Sequence, residues 1–315
     1  MTAAAAARFA AQWRAVAPHG KVGLAVSGGS DSLALLLLFH EVAPRNFCVA
    51  TVDHGLRAEA AAEAAMVAAL CGRLGVAHHT LSLSLAKGSA VQERARTARY
   101  AALGQWCTDH GLAALVAAHH ADDQAETMVM RLNRGAGLRG LAGMRSCAPV
   151  PGMADLPLLR PLLDWRRAEL AQVVQAAGLA AADDPSNRDT AFERVRVRAA
   201  MTATDAFDAK GFAASAQHLA AADQALDWAV DRLWQDVEEH EDRITWNPPH
   251  GLPPVLALRI LERILTAYGR NDSRGADLSR WLDTLQAGGV ATLGNVKGDA
   301  RRAPWRFTIA PKRRH

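Results

Sequence analysis

The chain has 315 residues, half of them hydrophobic and 22% charged, with a formal charge of +4. That excludes a disordered chain and leaves room for one α/β domain plus a smaller unit. No apolar run reaches the roughly 18 residues that would suggest a membrane span, and the four cysteines (Cys48, Cys71, Cys107 and Cys147) form no CxxC pair, which argues against a zinc knuckle, an iron–sulfur nest or a dithiol site and for reduced core thiols.

In chain order, the alanine-rich start MTAAAAARFAAQWRAV is interrupted by Arg8 and Arg14 and lacks a leucine-rich core. It therefore reads as an amphipathic N-terminal helix rather than a secretory signal, and a cytoplasmic protein is expected. Short apolar runs beginning at Lys21, Phe47, Val76 and Leu112 read as strands. Between them, Ser32 to Glu41, Ala58 to Leu74, Val91 to His110 and Asp122 to Arg134 carry helical patterns. This alternation predicts an α/β domain with a parallel sheet, whose ligands bind at the carboxyl ends of the strands. RGAGLRGLAGM, from Arg134, reads as a bent loop, and LPLLRPLLDWRRAELAQVVQAAG as an extended segment followed by a helix ending at Gly178. DDPSNRD is a turn cluster. Beyond about Thr202 the pattern is mainly helical, which places a boundary near residue 205: a nucleotide-binding domain over 1–205, then a smaller, mainly helical domain over 206–315.

The segment with the most chemistry is AVSGGSDS, Ala25 to Ser32, where a strand turns into a helix. Gly28 and Gly29 permit a tight turn close to a phosphate, Ser27, Ser30 and Ser32 offer hydroxyls, and the helix-start amides point at an anion. Asp31 would repel a bare phosphate, so it suggests an intervening Mg²⁺. A serine–glycine turn with an aspartate helix cap is the plain alternative; the complete string directly after a buried strand favours phosphate binding. No GK[ST] follows, so this is not a Walker A loop. SGGSDS resembles the signature of the PP-loop ATP pyrophosphatases. That resemblance implies ATP cleavage between the α and β phosphates, adenylation of a substrate, and displacement of AMP by a nucleophile.

Further segments narrow the class. VDHGLR (52–57), RARTARY (94–100), AAHHADDQAET (117–127), RLNRGAGLRGLAGM (131–144) and DDPSNRDTAFERVRVR (183–198) resemble, in order, the synthetase domain of the tRNA(Ile)-lysidine synthetases over roughly residues 20–200. Asp53 and His54 stand at a strand end beside the expected nucleotide pocket, or form an ordinary turn. Arg96 and Arg99 share a helix face and could neutralise phosphates or be solvated; the resemblance favours Arg96. His119, His120, Asp122, Asp123 and Glu126 gather at a strand-to-helix junction. As residue types they could hold zinc or cap a helix; as carboxylates they suit a lysine ammonium, and the family uses this region for lysine and ATP. The resemblance thus implies Asp31, Arg96, His120, Asp122, Asp123 and Glu126 as the catalytic set.

Arg194, Arg196 and Arg198 lie on one side of an extended chain but split on a helix, and read as exposed arginines at a domain junction or as tRNA contacts; the resemblance, with Arg131, Arg134 and Arg139 of the glycine-rich loop, favours tRNA contact. The basic, aromatic-interleaved RRAPWRFTIAPKRRH could add phosphate and base contacts. Residues from about 210 onward resemble the family's first accessory domain, with Asn295 where a glycine is usual, and the short architecture without a second C-terminal domain is expected. The implied reaction joins free L-lysine to C2 of the wobble cytidine of tRNA(Ile) bearing a CAU anticodon, using ATP and Mg²⁺. No membrane partner is expected, and a homodimer is left open. The rivals are a tRNA thiolation enzyme, which would want cysteine pairs; an amidotransferase or NAD synthetase type, opposed by HHADDQAET and RGAGLRG; and a silent RNA-binding module, opposed by the intact SGGSDS.

Overall fold

Aliphatic runs form strands here because their side chains are covered on both faces of one sheet. The computed structural model describes residues 2–53, 55, 58–83, 91–182, 189–270 and 275–310. The strands are β1 (Val22–Ala25), β2 (Phe47–Asp53), β3 (His78–Ser82), β4 (Leu115–Val116), β5 (Cys147–Val150) and β6 (Met153–Leu159). They lie in the order β3-β2-β1-β4-β6-β5. All neighbouring pairs are parallel except the β5–β6 hairpin. Leu24 of β1 pairs with Val49 of β2 on one side and Val116 of β4 on the other. Successive connections leave β1 in opposite directions across the sheet, so a crevice is expected between the carboxyl ends of β1 and β4.

The helices are α1 (Ala3–Val16), α2 (Ser30–Val42), α3 (Ala58–Leu74), α4 (Val91–Asp109), α5 (Ala121–Leu132), α6 (Leu138–Leu141), α7 (Arg167–Ala176), α8 (Glu193–Thr202) and α9 (Ala209–Leu233). Helix α2 is apolar on nearly every face because sheet, α1 and α7 all cover it; Leu33, Leu35, Leu36, Leu38 and Phe39 are fully buried. Phe39 meets Phe9 and Trp13 edge to face at 5.1 and 4.7 Å, which fixes α1 as part of the core. A second layer, with Tyr100, Leu103 and Trp106 of α4 against Leu115 and Leu158, closes the other face.

Three features differ from the sequence expectation. The fourth strand is two residues long, because beyond Ala117, whose N–H still donates to Leu159 O at 3.0 Å, the chain turns along the crevice. The glycine-rich loop contains the single turn α6, and residues 147–159 form a hairpin whose outer strand β5 runs antiparallel. Most of the DDPSNRD cluster lies outside the described residues.

The chain divides into two compact units, Met1–Ala220 and Ala221–His315. The second has the expected amphipathic helices, α10 (Pro254–Ala267) and α11 (Gly275–Gln286), and in addition a five-stranded antiparallel sheet. Its strands are β7 (Val237–Glu239), β8 (Ile244–Trp246), β9 (Val290–Leu293), β10 (Val296–Asp299) and β11 (Trp305–Ile309), in the order β7-β8-β11-β10-β9. Ile260, Leu261, Ile264, Trp281, Leu285 and Phe307 form its core, and the buried Arg259 is held by Asp223 and Asp227. Among the described residues, no helix is long and apolar enough to cross a membrane.

Candidate active site

The loop after β1 is held by its own hydroxyls. Ser32 Oγ donates to Gly29 O at 2.9 Å and accepts from Ser27 N at 3.1 Å, which folds residues 27–32 back on the start of α2. Gly28 has φ +91°, and a Cβ there would lie 3.2 Å from Met66 Cε; only glycine takes that turn without strain. Gly29 is the N-cap of α2 and has no side chain to satisfy the first-turn amides, so these are left for an anion.

The loop after β4 meets it. His120 is 1% exposed and caps α5: its Nδ1 accepts from Asp123 N at 3.3 Å, while its own backbone N–H donates to Asp123 Oδ2 at 3.2 Å. Its Nε2 lies 3.3 Å from Asp31 Oδ2 and 3.5 Å from Asp123 Oδ2, so the Nε2–H of the capping tautomer faces both carboxylates, and protonation of the ring would strengthen that attraction while giving up the Nδ1 cap on Asp123 N. Burial alone would depress the His120 pKa; the contact with Asp31 and the charges of Asp123 and Asp31 outweigh it and hold the ring above its ordinary value. Asp31 Oδ1 is buried without a protein partner. That atom fits a Mg²⁺ ion, which binds through one or two carboxylates plus phosphates and water rather than in an all-protein cage. Among the described residues, no group of three or more His, Cys, Asp or Glu side chains is arranged to hold a metal ion.

The neighbouring His119 behaves oppositely. Burial drives its pKa down to about 4, against Asp123 and with the help of Arg160, Arg96 and Arg194. A histidine with a lowered folded-state pKa takes up its proton more readily in the unfolded chain. Stability is therefore lost as the pH falls from about 6.5 towards about 4. A His119→Asn variant should lose less stability than wild type between pH 7 and pH 4.5. Urea midpoints at the two pH values check this, and parallel declines would refute it.

Asp122 and Glu126 are already engaged. Asp122 accepts from Arg167 N at 2.8 Å and from Arg166 Nε at 3.3 Å. Glu126, 2% exposed, accepts from Arg198 Nε at 2.6 Å and Arg198 Nη2 at 3.1 Å, with Arg167 and Arg194 at 3.7 and 3.8 Å. It is the shared counter-ion of three arginines, a different setting from the open lysine-binding carboxylate that the sequence suggests. Helix α8 explains the pattern: Arg194 and Arg198, four apart, face Glu126, while Arg196 turns away to donate to Thr190 O and Ala191 O at 2.7 and 2.9 Å.

A cavity of about 340 Å³ opens beside both loops. Ser27, Gly29, Asp31, Ser32, Thr51, Arg99, Leu103 and His119 are among its lining residues. Arg99, rather than Arg96, reaches it; Arg96 is exposed, with its guanidinium 5.1 Å from the Tyr100 ring centroid. Asp53 accepts from Gly55 N at 2.9 Å and holds a turn rather than lining the cavity. His54 lies outside the described residues. Sequence reasoning missed Arg160, Arg166 and Arg167; the WRR at 165–167 was the available signal.

The glycine-rich loop is clamped to α5. Gln124 Nε2 donates to Met144 O at 2.8 Å and Gln124 Oε1 accepts from Met144 N at 2.7 Å. Arg131 donates to Gly140 O, and to Gly143 O at 3.4 Å, so its guanidinium is turned into the loop. Arg134 is paired with Glu193 but remains 63% exposed, and Arg139 is exposed. At Gly143 φ is +67° and a Cβ would lie 2.5 Å from Gln124 Oε1. Gly143→Ala should therefore cost about 1–3 kcal/mol, from positive φ and the broken clamp. Urea unfolding and proteolysis of the loop would detect it; wild-type behaviour in both would show that the clamp can yield.

The family model for the PP-loop domain matches residues 1–204. The chain is 65% identical to the tRNA(Ile)-lysidine synthase of Novosphingobium aromaticivorans over 98% of this chain and 95% of that one. It is 39% identical to the tRNA(Ile)-lysidine synthase of Zymomonas mobilis over 94% and 90%. Among solved structures, the U34-tRNA thiolase NcsA from Methanococcus maripaludis with its 4Fe–4S cluster superposes with a TM-score of 0.55 at 17% identity, covering 76% of this chain and 80% of that one. That likeness is one of fold alone, and the buried thiols here differ from a cluster site: burial pushes Cys107 up to about 12 and Cys71 up to about 11. The ATP-using PP-loop domain and identity along nearly the whole chain lead to one conclusion, that this protein belongs to the tRNA(Ile)-lysidine synthase family.

Proposed function

We propose that this enzyme joins free lysine to C2 of the wobble cytidine of a CAU-bearing tRNA(Ile), using ATP and releasing pyrophosphate and AMP. The observation that carries the reading is the meeting of the SGGSDS loop with Asp31, His120 and Asp123 at the crevice between β1 and β4. The loop amides and the Ser27 and Ser30 hydroxyls bind phosphate oxygens. Asp31 would hold Mg²⁺, which when bound would offset phosphate charge. The cytidine C2 oxygen attacks the α-phosphate, pyrophosphate leaves, and the neutral ε-amine of lysine then attacks C2 and expels AMP. His120 holds Asp31 and Asp123 in register, and Asp122 or Asp123 positions the amine and receives its proton. Glu126 acts by placing Arg167, Arg194 and Arg198 rather than by touching lysine. Arg99 serves as the phosphate partner in the cavity, Arg96 is a further basic group on the same helix, and Asp53 holds the turn after β2.

The exposed Arg134 and Arg139, with Arg196, are the first choice for RNA contact; Arg131, Arg194 and Arg198 support it from beneath. Residues 1–205 are assigned the synthetase role and 206–315 the accessory tRNA-binding role, on the extent of the family match and on the basic, aromatic C-terminal sequence. Use of tRNA and ATP supports a cytoplasmic reaction.

The test incubates the protein with ATP, Mg²⁺, labelled lysine and a tRNA(Ile) transcript with a CAU anticodon. Label on the wobble base supports the reading. AMP release that depends on a different RNA or small molecule, with no lysine incorporated, would keep the ATP chemistry and overturn the substrate assignment.

A further inference from the structure

Arg160 sits on the β4 side of the cavity and is 8% exposed. It closes β6, next to β4 in the sheet. Its backbone N–H donates to Ser146 O at 2.8 Å, and its Nη1 donates to Arg145 O, also at 2.8 Å, so the residue is tied at its backbone and at one guanidinium nitrogen to the segment that leads into β5. Its Nε then donates to His119 Nδ1 at 3.2 Å, and His119 borders the cavity beside the phosphate loop. A guanidinium can only donate. His119 Nδ1 must therefore carry a lone pair, which is incompatible with the Nδ1–H tautomer and with the imidazolium alike. The ring keeps its one proton on Nε2.

We propose that Arg160 is a positioning residue that locks His119 as the neutral Nε2–H tautomer, making it a fixed hydrogen-bond donor to a phosphate oxygen of the nucleotide in the cavity. The depressed pKa of His119, lowered mainly by burial and further by Arg160, agrees with that protonation state. A neutral donor has a use here that a cation would not. It stabilises charge gathering on a phosphate oxygen without pairing permanently with Asp123, whose attraction for a charged ring is the main force acting against burial at this site. Arg160 would act through His119 and not touch the nucleotide.

This inference rests on the ATP reading of the cavity, and the experiment separates the two. ATP binding by the wild-type protein, measured first by calorimetry, tests that reading alone. Nitrogen-15 spectra of histidine-labelled protein, with the His119 signals assigned through His119→Asn, then report the tautomer. The expected result is an unprotonated Nδ1 and a protonated Nε2 that persist from pH 8 to pH 6. An Nδ1–H signal, or a ring that protonates in the ordinary histidine range, overturns the proposal even if the Arg160 variants misfold. In kinetics, Arg160→Met should lower kcat about 10–100-fold with KM for ATP changed less, as removal of an orienting partner does. His119→Asn should lower it about 10²–10³-fold. The double variant should be no worse than His119→Asn alone, whereas additive losses would show that Arg160 acts independently. Arg160→Lys, which keeps the charge without the planar fork, should restore little.

Discussion

Asp31→Asn is expected to fold with the wild-type core and to form AMP about 10²–10³-fold more slowly, the usual cost of removing one preorganised electrostatic group at a reacting centre. The side chain stands in the first turn of α2, with Oδ2 against His120 and Oδ1 buried and unpartnered. Asparagine preserves volume while removing the charge that a divalent cation and His120 both need. The same variant has a signature in stability. His120 has a raised folded-state pKa, so its pairing with the carboxylates stabilises the fold fully below the ordinary histidine value of 6.5 and is lost as pH rises through the folded value. In Asp31→Asn that alkaline-side loss should shrink, because part of what raised the pKa is gone. AMP release by chromatography and urea midpoints from pH 6 to pH 9 read the two effects. AMP formation at the wild-type rate would remove Asp31 from the chemistry.

Glu126→Ala should be the most destabilising single change in the site, by about 3 kcal/mol. The carboxylate is almost fully buried and faces three guanidiniums, whereas Arg198, Arg167 and Arg194 retain 26, 35 and 41% side-chain exposure. Removing the anion leaves like charges facing one another in a partly desolvated space; removing one arginine leaves two others to hold the anion. Arg198→Met should accordingly cost less than Glu126→Ala, and the pair should couple strongly in a double-mutant cycle. Glu126→Gln keeps the acceptor oxygen for Arg198 and should fall between. Urea unfolding measures the four variants and wild type. Equal stability of Glu126→Ala and wild type would mean the arginines are solvated well enough to need no counter-ion.

How far this site is legible in one dimension differs from residue to residue. SGGSDS is local: its glycines and serines meet one another within six positions, so the turn, the helix start and their chemistry are all written in one segment. The capping role of His120 is local too, since the reciprocal bonds with Asp123 span three residues. The environment of Glu126 is not, because its partner Arg198 lies 72 positions away and is brought to it by the packing of α8 on α5. Likewise Arg160 reaches His119 across 41 positions, and the sequence offers no sign that this arginine is buried.

By itself, then, the sequence determined the alternation of strands and helices, the phosphate loop and the family, because each rests on short-range periodicity or on contiguous motifs. Only the tertiary structure decided which ionisable groups compensate one another. It put Asp31 against His120, set three arginines around Glu126, chose Arg99 over Arg96 as the cavity-facing guanidinium, and turned Arg131 into the glycine loop. The reason is physical: a charge acts over a few ångströms of space irrespective of its distance along the chain, and whether it acts as a ligand, a cap or a counter-ion depends on what desolvates it.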